Sequence, residues 1–155
     1  MIKYFVMDVD GTLTDGKIYI GNDGEKFKAF NIKDGYGITH ILKAAGIEPV
    51  IITGRTSTIV EKRCRELGIE KVFQGQIEKM EILRTVLGDN GLEACAYIGD
   101  DIPDLICMKQ VKMAGGKIGC PLDAISPIKN ICDYISPNKA GEGAVRDFID
   151  WLVEE

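Results

Sequence analysis

Short apolar runs of strand length, each followed by a stretch with helical spacing, recur along this chain and limit the folds open to it. Tyr4-Phe5-Val6-Met7 is the first run, Pro49-Val50-Ile51-Ile52 follows, and Ala94-Cys95-Ala96-Tyr97-Ile98 comes later. Runs that are apolar at every position suit strands buried on both faces, as parallel strands are. Between them, Asp34 precedes a helical stretch through Ala45, closed by Gly46. Thr58-Ile59-Val60-Glu61 has the spacing of a capping box, and Val60, Cys64 and Leu67 continue at i, i+4, i+7 until Gly68. Lys71-Val72-Phe73 reads as a short strand, followed by a helix from about Ile77 to Leu87 with Met80, Leu83 and Leu87 on one face. A helix around Leu105, a strand at Val111-Lys112-Met113-Ala114, a helix near Asp123–Lys129, a strand at Cys132-Asp133-Tyr134-Ile135 and a helix from Gly143 to Val153 complete the pattern.

One interruption precedes the first helix. Lys17-Ile18-Tyr19-Ile20 and Glu25-Lys26-Phe27-Lys28-Ala29-Phe30 flank Gly21-Asn22-Asp23-Gly24, which predicts a β-hairpin over about residues 17–30. The expected architecture is an α/β fold, a doubly wound, mostly parallel sheet with helices on both faces and one inserted hairpin. At 155 residues the chain has the length of a single domain, spanning 1–155.

Composition narrows the function. Net charge is −5, so a broad basic face for nucleic acid is not expected. The five cysteines (Cys64, Cys95, Cys107, Cys120, Cys132) form no C-x-x-C pair, and His40 is the only histidine, which leaves little for a zinc site. They read as small buried residues of a reduced compartment. No N-terminal basic-then-apolar signal and no apolar run of membrane-spanning length is present, so a cytoplasmic protein without a membrane partner is expected.

Ligands of a doubly wound sheet bind outside the carboxyl ends of its strands. Asp8-Val9-Asp10-Gly11-Thr12 stands at the first such end, Thr53-Gly54-Arg55 at the second, and Gly99-Asp100-Asp101 with Asp104 at a later one. Asp8 and Asp10 lie two apart, so an extended backbone points both to one side. Converging carboxylates are costly to fold without a positive charge between them, and a hard divalent cation suits them. Lys79, in the first turn of the helix after Lys71-Val72-Phe73, with a hydroxyl and backbone N–H groups, can hold phosphoryl oxygens. Each piece alone is an ordinary turn or surface residue. Together they form a kit for phosphoryl transfer, which depends on positioning and charge neutralisation.

Asp8-x-Asp10-Gly-Thr, Thr53-Gly54, Lys79 and Gly99-Asp100-Asp101-x-x-Asp104 resemble, in order, the four motifs of the haloacid dehalogenase superfamily of phosphatases. The resemblance implies a Rossmann-like core, Mg²⁺ as cofactor and Asp8 as a nucleophile that forms an aspartyl-phosphate. It implies Asp10 as the acid and base, Thr53, Gly54 and Lys79 as phosphate ligands, and Asp8, Asp100 and the backbone carbonyl of Asp10 as metal ligands. Asp101 and Asp104 would orient those ligands and Lys79 from behind. Neither the span from Asp10 to Thr53 nor that from Thr53 to Lys79 has room for a cap domain, so the chain resembles the capless branch.

Within that branch the chain is similar to the 3-deoxy-D-manno-octulosonate (KDO) 8-phosphate phosphatase family. The similarity rests on Leu13-Thr14-Asp15-Gly16, on Phe30-Asn31-Ile32-Lys33-Asp34-Gly35-Tyr36-Gly37, on Ile52-Thr53-Gly54-Arg55 with Val60 and Arg63, and on Gly141-Glu142-Gly143-Ala144-Val145-Arg146. It implies a homotetramer in which the hairpin and C-terminal segment of one subunit close a neighbour's site, and a phosphorylated ulosonate as substrate. Arg55, Arg63, Lys139 and Arg146 are then candidate cations for the substrate's carboxylate end or the interface, Arg55 foremost. Glu142 departs from the pattern, placing an acid where a small or basic residue would suit an anion better. Phosphatases for KDN 9-phosphate or N-acylneuraminate 9-phosphate use the same scaffold, and a non-catalytic phosphatase-like module of a sugar-activating enzyme is a further alternative. A receiver-type signalling domain would need its acceptor Asp where Thr53-Gly54-Arg55 stands.

Overall fold

Tyr4–Met7 forms β1, and its neighbours on either side explain why all four residues are apolar. In a computed structural model that describes all of residues 1–155, β1 lies between β4 (Glu48–Ile52) and β6 (Cys95–Ile98), parallel to both. Beyond them the sheet continues with β5 (Lys71–Phe73) on one side, and with β7 (Lys117–Cys120) and β8 (Tyr134–Ile135) on the other. The order is β5-β4-β1-β6-β7-β8, every pair parallel. The chain leaves β1 toward β4 and β5 and then returns to β6 on its other side. The strand order therefore reverses at β1, and a crevice opens at its carboxyl end.

Alternate residues of these strands feed two separate cores. Phe5 and Met7 face α1 (Ile32–Tyr36), α2 (Thr58–Glu66) and α6 (Ala144–Glu154), packing with Ile38, Val60, Phe148 and Ile149. Val6 faces α3 (Lys79–Leu87), α4 (Ile102–Met113) and α5 (Ser126–Lys129), packing with Leu83, Met108, Val111 and Ile128. Pro49 is tolerated inside the sheet because Glu48 donates to Lys3. By alternation Pro49 then faces the β5 side, where pairing starts only at Val50.

Several boundaries differ from expectation, each for a local reason. Val111-Lys112-Met113 is the last turn of α4, and the strand lies instead at Lys117–Cys120. Asp104, Cys107, Met108 and Val111 share one buried helix face, so the helical period extends through the supposed strand. Gly119 inside β7 weakens its strand signature, but Phe148 leaves no space for a side chain, since a Cβ there would meet the ring at 2.6 Å. Asn31, three residues before Asp34, caps α1 by accepting from the Lys33 N–H. The helix then widens into a π-helical segment over Gly37–Leu42. Ser57, one residue before the expected cap, starts α2. The hairpin strands are β2 (Tyr19–Gly21) and β3 (Gly24–Phe27), shorter than the alternating runs. No helix is long and apolar enough to cross a membrane.

Candidate active site

The crevice at the carboxyl end of β1 is a cleft of about 250 Å³ lined by Asp8, Asp10, Thr53, Gly54, Arg55, Lys79, Asp100, Asp101 and Pro103. Residues from three strand ends and one helix start, far apart in sequence, thus share one wall.

Lys79 is the centre of its charge balance. It opens α3 with its side chain turned inward, and Nζ lies 3.1 Å from an Asp8 oxygen and 2.9 Å from Asp104 Oδ1. Asp104 is fully buried and also accepts from the Tyr97 hydroxyl at 2.9 Å and from the Asp100 N–H at 3.2 Å. Its oxygens are thereby committed to holding Lys79 and the Gly99-Asp100 turn. Burial lowers the ammonium's affinity for its proton, but Asp8 and Asp104 outweigh it, and the Lys79 pKa is raised.

Asp100 has a different partner. Its Oδ1 accepts from the Thr12 hydroxyl at 2.9 Å, and it packs against Gly11, where an added Cβ would fall 2.2 Å from Oδ2. Gly11 has φ +79°, so both its backbone and its lack of a side chain serve this approach. Ligand atoms of Asp8, Asp100 and Asp104 lie within 4.8 Å of one another. Burial raises the pKa of both Asp8 and Asp100, repulsion from Asp104 adds to it for Asp8 and from Asp8 and Asp104 for Asp100, and Lys79 only partly offsets this for Asp8. Two crowded carboxylates short of positive charge are the donor set that a hard divalent cation fits. With Asp104 already taken up by Lys79 and Tyr97, Asp8 and Asp100 are the oxygen donors left for such an ion.

Asp10 lines the cleft with its carboxylate held from the hairpin side. Lys28 Nζ lies 2.6 Å from Asp10 Oδ1 and 2.9 Å from Glu25 Oε2. Glu25 also accepts from the Ser57 hydroxyl at 2.7 Å and lies 3.7 Å from Arg55. The sequence reading missed Thr12, Glu25, Lys28, Ser57 and Tyr97 as site residues. Thr12 lies within the first motif and could have been included. For the others, a hydroxyl or charge inside a strand or turn carries no local signal of what it touches.

Of the remaining candidates only Asp101 touches the cleft. Asp101 is exposed and caps α4 through Ile102 N–H, at the cleft rim and not in contact with Lys79. Arg63 packs over the Phe30 ring and pairs with Glu66, and does not line the cleft. Arg146 reaches Asp150 with its guanidinium and lies over Tyr36. Lys139 is exposed and does not line the cleft. Gly141 packs against Thr14 and Asp15, and Asn31 donates to its carbonyl, which fastens the C-terminal segment to the base of the hairpin.

No protein-family model matches the chain. Among curated proteins it is 42% identical over 154 residues to the 3-deoxy-D-manno-octulosonate 8-phosphate phosphatase KdsC of Escherichia coli, covering 98% of this chain and 79% of the relative. Among solved structures it is similar to the Yersinia pestis 3-deoxy-D-manno-octulosonate 8-phosphate phosphatase, with TM-score 0.91 and 39% identity, covering 99% of this chain and 81% of that one. The Moraxella catarrhalis enzyme, solved with magnesium, phosphate and KDO, gives TM-score 0.90 and 39% identity over 99% of this chain and 86% of that one.

Proposed function

The chain belongs to the KDO 8-phosphate phosphatase family of the haloacid dehalogenase superfamily, and we propose that it hydrolyses KDO 8-phosphate to KDO and inorganic phosphate with Mg²⁺ as cofactor. The single observation that carries this is the buried Asp8 carboxylate beside Lys79 and Asp100, with Asp10 on the same cleft wall.

In this reading the Asp8 carboxylate attacks phosphorus and displaces the sugar's C8 oxygen. Asp10 gives that oxygen a proton as the P–O bond breaks, then takes one from the water that attacks the aspartyl-phosphate. Hydrolysis of the acyl phosphate regenerates the Asp8 carboxylate and releases phosphate. Lys79 and Thr53, with Gly54 backbone, hold the phosphoryl oxygens and spread their charge. Asp8, Asp100 and the backbone carbonyl of Asp10 would hold Mg²⁺, whose charge lessens the repulsion between carboxylate and phosphate. Asp104 acts through Lys79, and Asp101 by setting the start of α4.

Arg55 is the cleft's candidate for the substrate carboxylate. Arg63, Lys139 and Arg146 would contribute across a subunit boundary, in a homotetramer whose sites are shared. Supporting this, the hairpin exposes Ile18 at 58%, Ile20 at 74% and Phe27 at 52%, a liability unless covered. Within it residues 1–155 act as one domain, in the cytoplasm.

The test is phosphate release by the purified protein with Mg²⁺, comparing KDO 8-phosphate with KDN 9-phosphate. A preference for the eight-carbon substrate is expected. A preference of tenfold or more for the other, about 1.4 kcal/mol of transition-state discrimination, overturns the choice of substrate. No turnover of either would favour a binding module.

A further inference from the structure

The carboxylate of Asp10 has one hydrogen-bond partner, and that partner belongs to the hairpin. Lys28 Nζ donates to Asp10 Oδ1 at 2.6 Å and leaves the second oxygen free. Lys28 is itself held: its side chain is 2% exposed, and its other neighbour is Glu25 Oε2 at 2.9 Å. Glu25 is anchored in turn by the Ser57 hydroxyl, and Ser57 caps α2 through Ile59 N–H while its own N–H reaches Gln74. A continuous polar path therefore runs from the start of α2, through β3, to Asp10.

A side chain that must deliver a proton and then remove one needs a fixed position. An untethered carboxylate samples rotamers on the picosecond to nanosecond scale, and a displacement of about 1 Å can cost roughly a hundredfold in rate. We propose that Lys28, fastened by Glu25, is the positioning residue of Asp10, so that the hairpin sets where the proton shuttle stands in its own subunit's cleft. This rests on the role given to Asp10 above. Lys28 is poorly placed to bind substrate directly, because its ammonium is buried between two carboxylates and does not line the cleft.

The proposal is tested with Lys28→Met, Lys28→Arg and Glu25→Gln, each with Mg²⁺ on KDO 8-phosphate and on p-nitrophenyl phosphate. An alkoxide leaving group needs a proton during phosphoryl transfer, and nitrophenolate does not. Lys28→Met should lower kcat on KDO 8-phosphate by about 10- to 100-fold with KM within about twofold. On the aryl ester it should show a burst of nitrophenolate followed by a slow phase, because the intermediate forms but its hydrolysis still needs a placed base. Lys28→Arg should recover part of the loss, and Glu25→Gln should show a smaller loss of the same kind. If Lys28→Met does not fold, the Glu25→Gln measurements decide. A rise in KM with unchanged kcat, an unchanged kcat, or equal slowing of both phases overturns the proposal. Asp10→Asn, run in parallel, separates the two readings: full turnover there removes the role of Asp10. A dead Asp10→Asn beside an unimpaired Lys28→Met removes only that of Lys28.

Discussion

Asp8 and Asp104 share the one Lys79 ammonium while Asp100 stands beside them without it, and that imbalance makes the residues of the cleft unequal. Lys79→Met would leave Asp8 and Asp104 without their shared cation in a buried setting. The expected cost is about 3–5 kcal/mol, a fall in melting temperature of roughly 10 °C, read by thermal denaturation. Tyr97→Phe removes one donor to Asp104 where both side chains are fully buried. The expected loss is about 1–3 kcal/mol in urea unfolding, because Lys79 and the Asp100 N–H remain. Asp8→Asn behaves oppositely on the two readouts. It should reduce kcat by about 10⁴ or more, yet leave metal-free stability equal or higher, since one of three repelling carboxylates has lost its charge. That Asp8, Asp100 and Lys79 would converge was legible from residue types at strand and helix ends. Their unequal burden was not, because it depends on distances that spacing along the chain does not encode.

Among the elements, α1 and α6 are joined through an acid that does not line the cleft. Asp34 Oδ1 accepts from the Arg146 N–H at 2.9 Å, while Oδ2 is buried without a partner. Burial pushes the Asp34 pKa from 3.8 up to about 6; the Arg146 N–H, Arg63 and the Arg146 guanidinium oppose the rise, and Asp147 adds to it. The folded state therefore binds more protons than the unfolded state between those values, so stability falls as pH rises through that window and is level above it. Asp34→Asn should raise the melting temperature at pH 7 to 8, with the gain vanishing below 3.8, as checked by melts of both proteins across the range. The strand–helix alternation was readable because apolar periodicity follows from burial. It failed at Val111-Lys112-Met113, where a short apolar run fits either period, and packing against the sheet selected the helix. Caps slipped by one to three residues because Asn31 and Ser57 offered acceptors ahead of the expected positions.

For the whole molecule, a cation held at Asp8 and Asp100 as proposed would couple cofactor to fold. Mg²⁺ at a hundred times its Kd should add about 2.7 kcal/mol of stability, roughly 5–10 °C, which a chelator reverses. Asp100→Asn should abolish that shift; an undiminished shift would place the ion elsewhere. Dilution of the proposed homotetramer below its association range should reduce activity along with mass in sedimentation; activity that holds as the mass falls would overturn the shared site that the exposed hairpin residues suggest. The parallel sheet, the three strand-end motifs and Lys79 at a helix start were all present in the sequence, because periodicity decides which strands are buried and strand ends decide where a cleft can open. The long-range partners behind that cleft and between the helices were not. Thr12 with Asp100, Lys28 with Asp10 and Asp34 with Arg146 meet at about 3 Å across 88, 18 and 112 residues of chain. A hydrogen bond forms only at such distances, and no local pattern states how a hairpin folds back or where two helices close, so these contacts exist only once the chain has packed.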